Sequence, residues 1–199
     1  MQTGFRVLDE GAVFIHQLES EPRAARAFEL QDRGGVLVGR AREELGPRRR
    51  VLRLAGFSAP RPFRVRVEEI DGRAIVEMER EIGFMRDRIA VADGQGRRLG
   101  QILLRLPLLG DKRMLIQNPQ GIDLARLQVA AFRQPCAIED ASGARLGELT
   151  QKWAGLGREL LGTADDYLLC WDESAEPSPA LRRMVLAAAL AFDLVFRED

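Results

Sequence analysis

The stretch MVLAAALAFDLVF, residues 184–196, is a long apolar run and decides the fold. Ser178 precedes it as a helix N-cap, Pro179 suits the first helical position, and the alanines and leucines favour helix. Because the run is apolar on every side until Asp193, it is typical of a helix buried in a protein or in lipid. As a helix, residues 181–196 would be about 24 Å long, shorter than the bilayer core of about 30 Å. We therefore predict a central core helix over residues 179–196 and no transmembrane span.

Five earlier segments share one pattern: a short apolar-alternating run, a turn rich in glycine, aspartate or asparagine, and a second run. This pattern is typical of a β-hairpin. In the clearest case Phe63, Val65 and Val67 alternate with charged residues, as in a strand with one buried and one solvent-exposed face. The five segments are residues 27–43, 63–81, 88–106, 113–129 and 136–153.

Successive hairpins of this number predict a closed sheet, because a large sheet curls and closure removes its exposed edges. The stretch FIHQLE, residues 14–19, is a candidate for a further strand. We predict a mainly β fold, a closed antiparallel barrel of about 12 strands around the C-terminal helix. The chain is interpreted as a single domain over residues 1–199, with an N-terminal arm at residues 1–26.

Composition argues against several classes of function. Thirty basic and thirty acidic residues balance, so the chain has no net positive charge that would attract nucleic acid. We therefore do not expect nucleic acid as a partner. His16 is the only histidine, which disfavours histidine-based catalysis and multi-histidine metal sites; we expect no catalytic residues. Cys136 and Cys170 are too few for a disulfide framework, and no signal peptide is visible, so we expect a cytoplasmic protein.

The chain resembles the phospholipid scramblase family. The resemblance is carried by QKWAGLGRELLGTADDYLLCW, residues 151–171, and MVLAAALAFDLVFRE, residues 184–198, after the barrel hairpins. That family is grouped with the tubby C-terminal domain and the plant LURP-one-related proteins. The resemblance covers residues 27–198 and rests on the order and spacing of its motifs. Residues that match the family pattern are Trp153, Gly155, Arg158, Glu159, Ala164, Asp165, Tyr167, Asp193, Phe196 and Glu198.

The resemblance implies a twelve-stranded, tubby C-terminal-like barrel around a hydrophobic helix. It also implies association with membrane phospholipids and calcium-dependent movement of lipids between leaflets. The acylated cysteine clusters of eukaryotic scramblases are missing, since residues 81–87 contain no cysteine, and this points to a bacterial-type member. Attachment to the inner face of the plasma membrane would then depend on surface charge.

The stretch from residue 46 to residue 67 contains seven arginines and no acidic residue, in a chain whose total charge is balanced. One interpretation is a binding surface for phosphate or anionic lipid, to which each basic residue contributes about 1 kcal/mol near an anionic membrane. The other is an ordinary surface whose arginines pair with the flanking glutamates at positions 43, 44, 68 and 69. The seven candidates are Arg48, Arg49, Arg50, Arg53, Arg61, Arg64 and Arg66.

A calcium site is a weaker candidate. The family's calcium loop corresponds to residues 163–174, where Asp165 and Asp166 are the candidate ligands. An EF-hand-like loop needs oxygen ligands at its positions 1, 3, 5 and 12, and here only Asp165 is a strong ligand in register. The alternative is a solvated turn between strands. We expect no resident cofactor.

Four residues are predicted to form part of the structural core: Trp153, Phe192, Asp193 and Phe196. A carboxylate buried near a helix C-terminus needs a partner, because both burial and the helix dipole disfavour its charge. We therefore expect Asp193 to pair with an arginine of the barrel wall or to reach the barrel mouth.

Two functional interpretations follow. The first is a scramblase-family protein that binds anionic phospholipid headgroups at a membrane surface, with transbilayer lipid movement implied only by the resemblance. The second is a barrel that binds a small ligand or a protein and has no membrane role. The arginine-rich stretch favours the first, whereas the balanced charge and the missing cysteine clusters favour the second.

Overall fold

The structure, a computed structural model, describes residues 4–18, 25–44, 62–80, 88–105, 112–129, 135–151 and 166–196. Within these ranges the chain forms twelve strands and two helices. The helices are α1 (Arg6–Asp9) and α2 (Pro179–Phe196). The strands are β1 (Ala12–Gln17), β2 (Ala27–Gln31), β3 (Leu37–Glu43), β4 (Phe63–Glu69), β5 (Ala74–Arg80), β6 (Arg88–Asp93), β7 (Arg98–Arg105), β8 (Lys112–Gln117), β9 (Asp123–Val129), β10 (Cys136–Asp140), β11 (Arg145–Gln151) and β12 (Asp166–Trp171).

All twelve strands pair with their neighbours in antiparallel orientation, and the sheet closes because β1 pairs with both β2 and β12. The five predicted hairpins are β2–β3, β4–β5, β6–β7, β8–β9 and β10–β11. The prediction of a closed barrel with a C-terminal helix is confirmed. Part of the segment interpreted as an N-terminal arm is built into the wall, because Val13 and Ile15 of β1 face the core and are each 1% exposed.

The hairpin turns explain why the strands pair in this register. In the β2–β3 turn the Gly35 N–H donates to the Asp32 carbonyl oxygen at 3.0 Å, and Asp32 Oδ1 accepts the N–H groups of Gly34 and Val36 at 2.9 Å. Gly35 has a φ of 77°, a left-handed conformation that favours glycine. The strand register shifts by one residue beside this turn, as in a hairpin whose turn ends in a glycine bulge.

The core of the barrel is filled by α2. Ser178 Oγ accepts the N–H of Leu181 at 3.2 Å, so Ser178 caps the helix as predicted. Residues 184–191 are at most 2% exposed and share one hydrophobic core with inward-facing strand residues such as Ile102 and Ile116. In the part of the chain that the structure describes, no helix has the length and apolar character needed to cross a membrane.

The two ends of the barrel differ. At the turn end, which holds the five hairpin turns, α2 begins, and Arg182 Nη1 donates to the Leu8 carbonyl oxygen at 2.7 Å. At the other end, the distal end, Asp193 of α2 contacts Tyr167 at the start of β12. The odd-numbered strands from β1 to β11 finish there and the even-numbered strands begin there. We call the strand residues that lie within two positions of this end the distal rim.

Candidate functional site at the distal end of the barrel

A buried carboxylate lies where α2 reaches the distal end. Asp193 is 1% exposed, and its Oδ1 accepts a hydrogen bond of 3.0 Å from the Tyr167 hydroxyl. Arg26, just before β2, donates from Nη1 to Asp193 Oδ2 at 3.4 Å and to the Asp193 carbonyl oxygen at 3.3 Å. The Tyr167 ring meets the half-buried Phe192 ring edge to face, with centroids 5.8 Å apart. These contacts hold the last turns of α2 to β12 and to the start of β2.

Burial is the main influence on the pKa values of Asp193 and Tyr167. It raises the pKa of Asp193 above the ordinary value of 3.8, although the charge of Arg26 and the hydrogen bond from Tyr167 act in the opposite direction. Burial also raises the pKa of Tyr167, and the negative charge of Asp193 adds to that rise. Tyr167 therefore remains a proton donor to Asp193 at neutral pH.

Sequence reasoning expected an arginine beside Asp193 but did not identify Tyr167 as its partner. The available signal was the inward position of Tyr167 in the alternation of β12, next to a carboxylate that needs a donor. Trp153 and the side chain of Phe196 lie outside the described residues, so their roles in the core stay predictions.

A second polar pair lies on the outer wall at the distal end, where β1 meets β12. His16 and Asp166 are cross-strand partners, and His16 Nδ1 lies 2.5 Å from Asp166 Oδ1. Asp166 is one of the two calcium candidates, and its carboxylate is engaged by His16; Asp165 lies outside the described residues. The described ranges contain no group of three or more histidine, cysteine, aspartate or glutamate residues placed to hold a metal. The calcium site stays a prediction.

Two of the seven arginines predicted to bind anions are described, and both point outward from β4. Arg64 lies 3.0 Å from Glu77 and 3.4 Å from Glu44, and the hydrogen bond to Glu77 raises the pKa of Arg64. Arg66 lies 2.8 Å from Glu68 and 3.3 Å from Glu77. Both are therefore ion-paired on the barrel wall, in pairs of the exposed kind that contribute little stability. The other five, Arg48, Arg49, Arg50, Arg53 and Arg61, lie outside the described residues.

Further arginines gather at the distal rim. Arg42 lies near the end of β3, opposite Arg66, and Arg88, Arg105 and Arg113 lie at the distal ends of β6, β7 and β8. All four of these rim arginines are exposed. Sequence reasoning missed them because they are scattered along the chain. The signal that could have found them is the recurrence of arginine at those strand ends that a succession of hairpins brings to one side.

Acidic residues are fewer at the same rim. Within the described ranges the strands contribute Glu29, Glu43, Glu79 and Asp166, and Glu44 directly follows β3. Glu43 is buried, and one of its carboxylate oxygens accepts the backbone N–H of Arg26 at 3.1 Å. Since Glu44 pairs with Arg64 and Asp166 with His16, the exposed part of the rim has an excess of positive charge. Such an excess attracts phosphate and carboxylate groups.

Comparisons with known proteins agree with this architecture. A family model described as Scramblase matches residues 25–199, which includes α2 and every strand except β1. A search of curated proteins finds no match. The X-ray structure of a protein from Arabidopsis thaliana is similar, with a TM-score of 0.54 and 12% sequence identity over 92% of this chain and 91% of that chain. The structural likeness is one of fold.

Proposed function

Because the chain belongs to the Scramblase family, we propose that it is a peripheral protein that binds the headgroups of anionic phospholipids. The observation that carries the proposal is the excess of exposed arginine over carboxylate at the distal rim. Arginine binds phosphate oxygens in a bidentate manner, and each basic side chain near an anionic membrane contributes about 1 kcal/mol. Attachment by charge is reversible and weakens as salt rises.

The arginine-rich stretch of residues 46–67 also supports membrane contact through the distal end of the barrel. It follows β3 and extends into β4, and the end of β3 and the start of β4 both belong to the distal rim. Arg48, Arg49, Arg50 and Arg53 are therefore assigned to lipid contact. Arg64 and Arg66 are assigned a smaller share, because a lipid phosphate would compete with the glutamates that already pair with them.

The proposal places the protein in the cytoplasm, at the inner face of the plasma membrane, where anionic lipids provide the negative surface potential. Transbilayer movement of lipid by an inserted α2 is not part of it. Insertion would remove residues 184–191 from the barrel and leave the inward faces of the strands without their apolar partner. We expect fluorescent lipids in the outer leaflet of vesicles to flip no faster with the protein than without it.

Co-sedimentation with vesicles tests the proposal. The vesicles contain phosphatidylcholine with or without phosphatidylserine, in about 0.1 M and about 1 M salt, so that charge-dependent binding is separated from insertion. Each measurement is repeated with calcium and with chelator, which tests the calcium candidates Asp165 and Asp166. We expect binding only to phosphatidylserine vesicles and only at low salt.

A matched pair of variants locates the contact. The first replaces Arg48, Arg49, Arg50 and Arg53 with glutamine. The second makes the same change at four arginines of the turn end, Arg33, Arg97, Arg98 and Arg145. The first variant should lose binding and the second should retain it. Equal binding by both variants would remove the assignment to residues 46–67, and failure of the unchanged protein to bind any vesicle would favour a barrel that recognises a small ligand or a protein.

A further inference from the structure

A short segment before β1 crosses the turn end of the barrel, and we call residues 4–10 the strap. Arg6 Nη2 lies 2.6 Å from a carboxylate oxygen of Asp32 in the β2–β3 turn. The Val7 N–H donates to Oε1 of Glu69, at the end of β4, over 3.2 Å. The strap contains α1, which contacts both β3 and α2. It therefore runs from β1 over the start of α2 to the β4–β5 hairpin.

The strap is fastened to the first turn of α2 through side chains. Arg182 Nη1 donates to the Leu8 carbonyl oxygen at 2.7 Å. The Phe5 ring contacts two guanidinium groups, and its centroid lies 5.1 Å from Cζ of Arg73 and 5.1 Å from Cζ of Arg183. A guanidinium beside an aromatic ring is an attractive arrangement. Because Arg182 and Arg183 belong to α2, the strap and the start of this helix are held together.

The strap takes no part in the pairing of the sheet. Within the described residues, its backbone-to-backbone hydrogen bonds stay inside the strap, as where the N–H groups of Leu8 and Asp9 donate to the Phe5 carbonyl oxygen at 3.1 Å. Pairing with the wall starts at Gly11, whose carbonyl oxygen accepts the Trp171 N–H at 2.9 Å. Gly11 is exposed and lies between α1 and β1, which suits a hinge. The strap can therefore move without breaking a strand ladder.

Few contacts hold the strap down. The side chains of Arg6 and Arg73 are 56% and 55% exposed, so their ion pairs to the hairpin turns are screened by water and salt. The buried anchors are Val7 and Leu8, which are 1% and 2% exposed. Val7 lies over Gly39 of β3, where an added Cβ atom would be 2.9 Å from Val7 Cγ2. Two aliphatic side chains in a fitted seat are thus the main apolar hold on the strap.

Closure of the strap also has a cost at Arg183. Its Nε atom is buried, and among the described residues no group accepts a hydrogen bond from it. Burial lowers the pKa of Arg183, although the negative charge of Asp93 acts in the opposite direction. Asp93 is already bound by Arg97, whose Nε lies 2.7 Å from its carboxylate. A buried donor without an acceptor is unfavourable, and movement of Phe5 off this guanidinium would admit water to it.

We infer that the strap is a lid that opens and closes as a unit at the turn end while the barrel stays closed. When closed, it covers the start of α2 and engages Arg73, Arg182 and Arg183. When open, these arginines and the apolar seat of Val7 and Leu8 face water, so the strap controls access to the start of α2. The inference goes beyond the proposed function, because it concerns the end of the barrel opposite the proposed lipid contact.

Hydrogen exchange of the unchanged protein, followed by mass spectrometry at low urea concentrations, tests the inference. We expect peptides covering residues 5–10 to exchange at least about tenfold faster than those covering residues 184–191. The exchange of residues 5–10 should depend little on urea, because opening of the strap exposes little surface, whereas that of residues 184–191 should depend on it steeply. Equal rates with equal urea dependence would mean that the strap opens only when the barrel unfolds, and would overturn the inference.

A core variant separates opening of the strap from unfolding of the barrel. Ile116, on β8, is 0% exposed, and Ile116→Val weakens the barrel equally with the strap open or closed. We expect exchange of residues 184–191 to become about fivefold faster and that of residues 5–10 to stay unchanged. An equal rise in both segments would contradict a strap that opens by itself.

A matched pair of variants tests the contacts that hold the strap. Arg6→Gln/Arg73→Gln removes two arginines that fasten it, and the control Arg126→Gln/Arg145→Gln removes two arginines that pair with carboxylates elsewhere on the barrel. The first should make exchange of residues 5–10 about fivefold faster, and the control should leave it unchanged. The same rate in both variants would overturn the inference. None of these measurements depends on lipid, so failure of vesicle binding would leave the strap in place.

Discussion

The Tyr167 hydroxyl donates a hydrogen bond of 3.0 Å to Oδ1 of Asp193 and thereby links the start of β12 to the last turns of α2. Each of the two residues is 1% exposed, so neither group can exchange its partner for water. A buried polar group that loses its partner keeps the full cost of leaving water. The Tyr167–Asp193 hydrogen bond is therefore expected to form only when α2 is packed inside the barrel.

Tyr167→Phe removes the hydroxyl that donates to Asp193. Of the two side chains that bind this buried carboxylate, only Arg26 then remains. We expect the free energy of unfolding to fall by about 1–3 kcal/mol, measured by urea unfolding at neutral pH. The control is a double-mutant cycle with Asp193→Asn. A coupling energy near zero between the two positions would show that the hydrogen bond does not contribute to stability.

The free energy of unfolding should depend on pH in part through the protonation of Asp193. Burial raises its pKa in the folded protein above 3.8, so the folded state holds this proton more tightly than the unfolded state. The stability linked to this proton is fully present below pH 3.8 and is lost as pH rises through the pKa of the folded protein. Asp193→Asn cannot lose that proton. We expect its stability relative to the unchanged protein to increase with pH and then to level off.

Urea unfolding of both proteins at a series of pH values measures this difference. The carboxylates of the turns, such as Asp93 and Asp140, have lowered pKa values and lose stability in the opposite direction, as pH falls. They are present in both proteins and cancel in the difference. A difference that does not change with pH would mean that the pKa of Asp193 is the same in the folded and unfolded states.

Because α2 lies inside the barrel, a larger side chain on its buried residues should destabilise the protein. Ala188 is 0% exposed, and replacing it with leucine inserts three carbon atoms into a packed core. We expect a loss of about 1–3 kcal/mol or more, measured by urea unfolding. Ala180→Leu, at an exposed position in the first turn of the same helix, is the control and should cost less than about 0.5 kcal/mol. Equal losses at the two positions would be inconsistent with a helix enclosed by the barrel.

The close pairing of β7 with β8 predicts that Gly100 cannot be replaced without loss of stability. Gly100 has a φ of 154°, and a Cβ atom there would lie 1.9 Å from the Gln117 carbonyl oxygen. Gly100→Ala should therefore cost about 3 kcal/mol or more, through backbone strain and forced separation of the strands. Gly35→Asn is the control, because the position has open space and asparagine tolerates a left-handed turn. Thermal unfolding of the two variants should differ clearly, and similar melting temperatures would contradict the strand geometry.

Local chemistry made most of the fold predictable. Turns such as residues 32–35 place an aspartate first and a glycine fourth, and the runs on either side alternate with a period of two. These features depend only on residues close in sequence, so the five hairpins and α2 were predicted with nearly the bounds that the structure has. The Ser178 cap is local for the same reason.

The candidate site was less predictable, because its contacts join residues far apart in the chain. Arg26 and Asp193 are separated by 167 positions, and Tyr167 and Asp193 by 26. Local pattern does not say which arginine of the wall reaches the end of the helix. Nor does it say that Arg64 would be paired with Glu77 while Arg105 would lie opposite Arg113. The densest run of arginines along the chain is therefore predictable as an anion site, whereas the arginines at the ends of β6, β7 and β8 are not.

The sequence by itself determined the alternation of the strands, the turn at each hairpin and an apolar helix too short and too interrupted to span a bilayer, since each depends on neighbouring residues. Only the tertiary structure decided how β1 closes the barrel against β12, which polar groups meet Asp193 and which arginines share the distal rim. The physical reason is that cross-strand neighbours are set by pairing and closure of the whole sheet. A charge acquires or lacks a partner only when that pairing is complete.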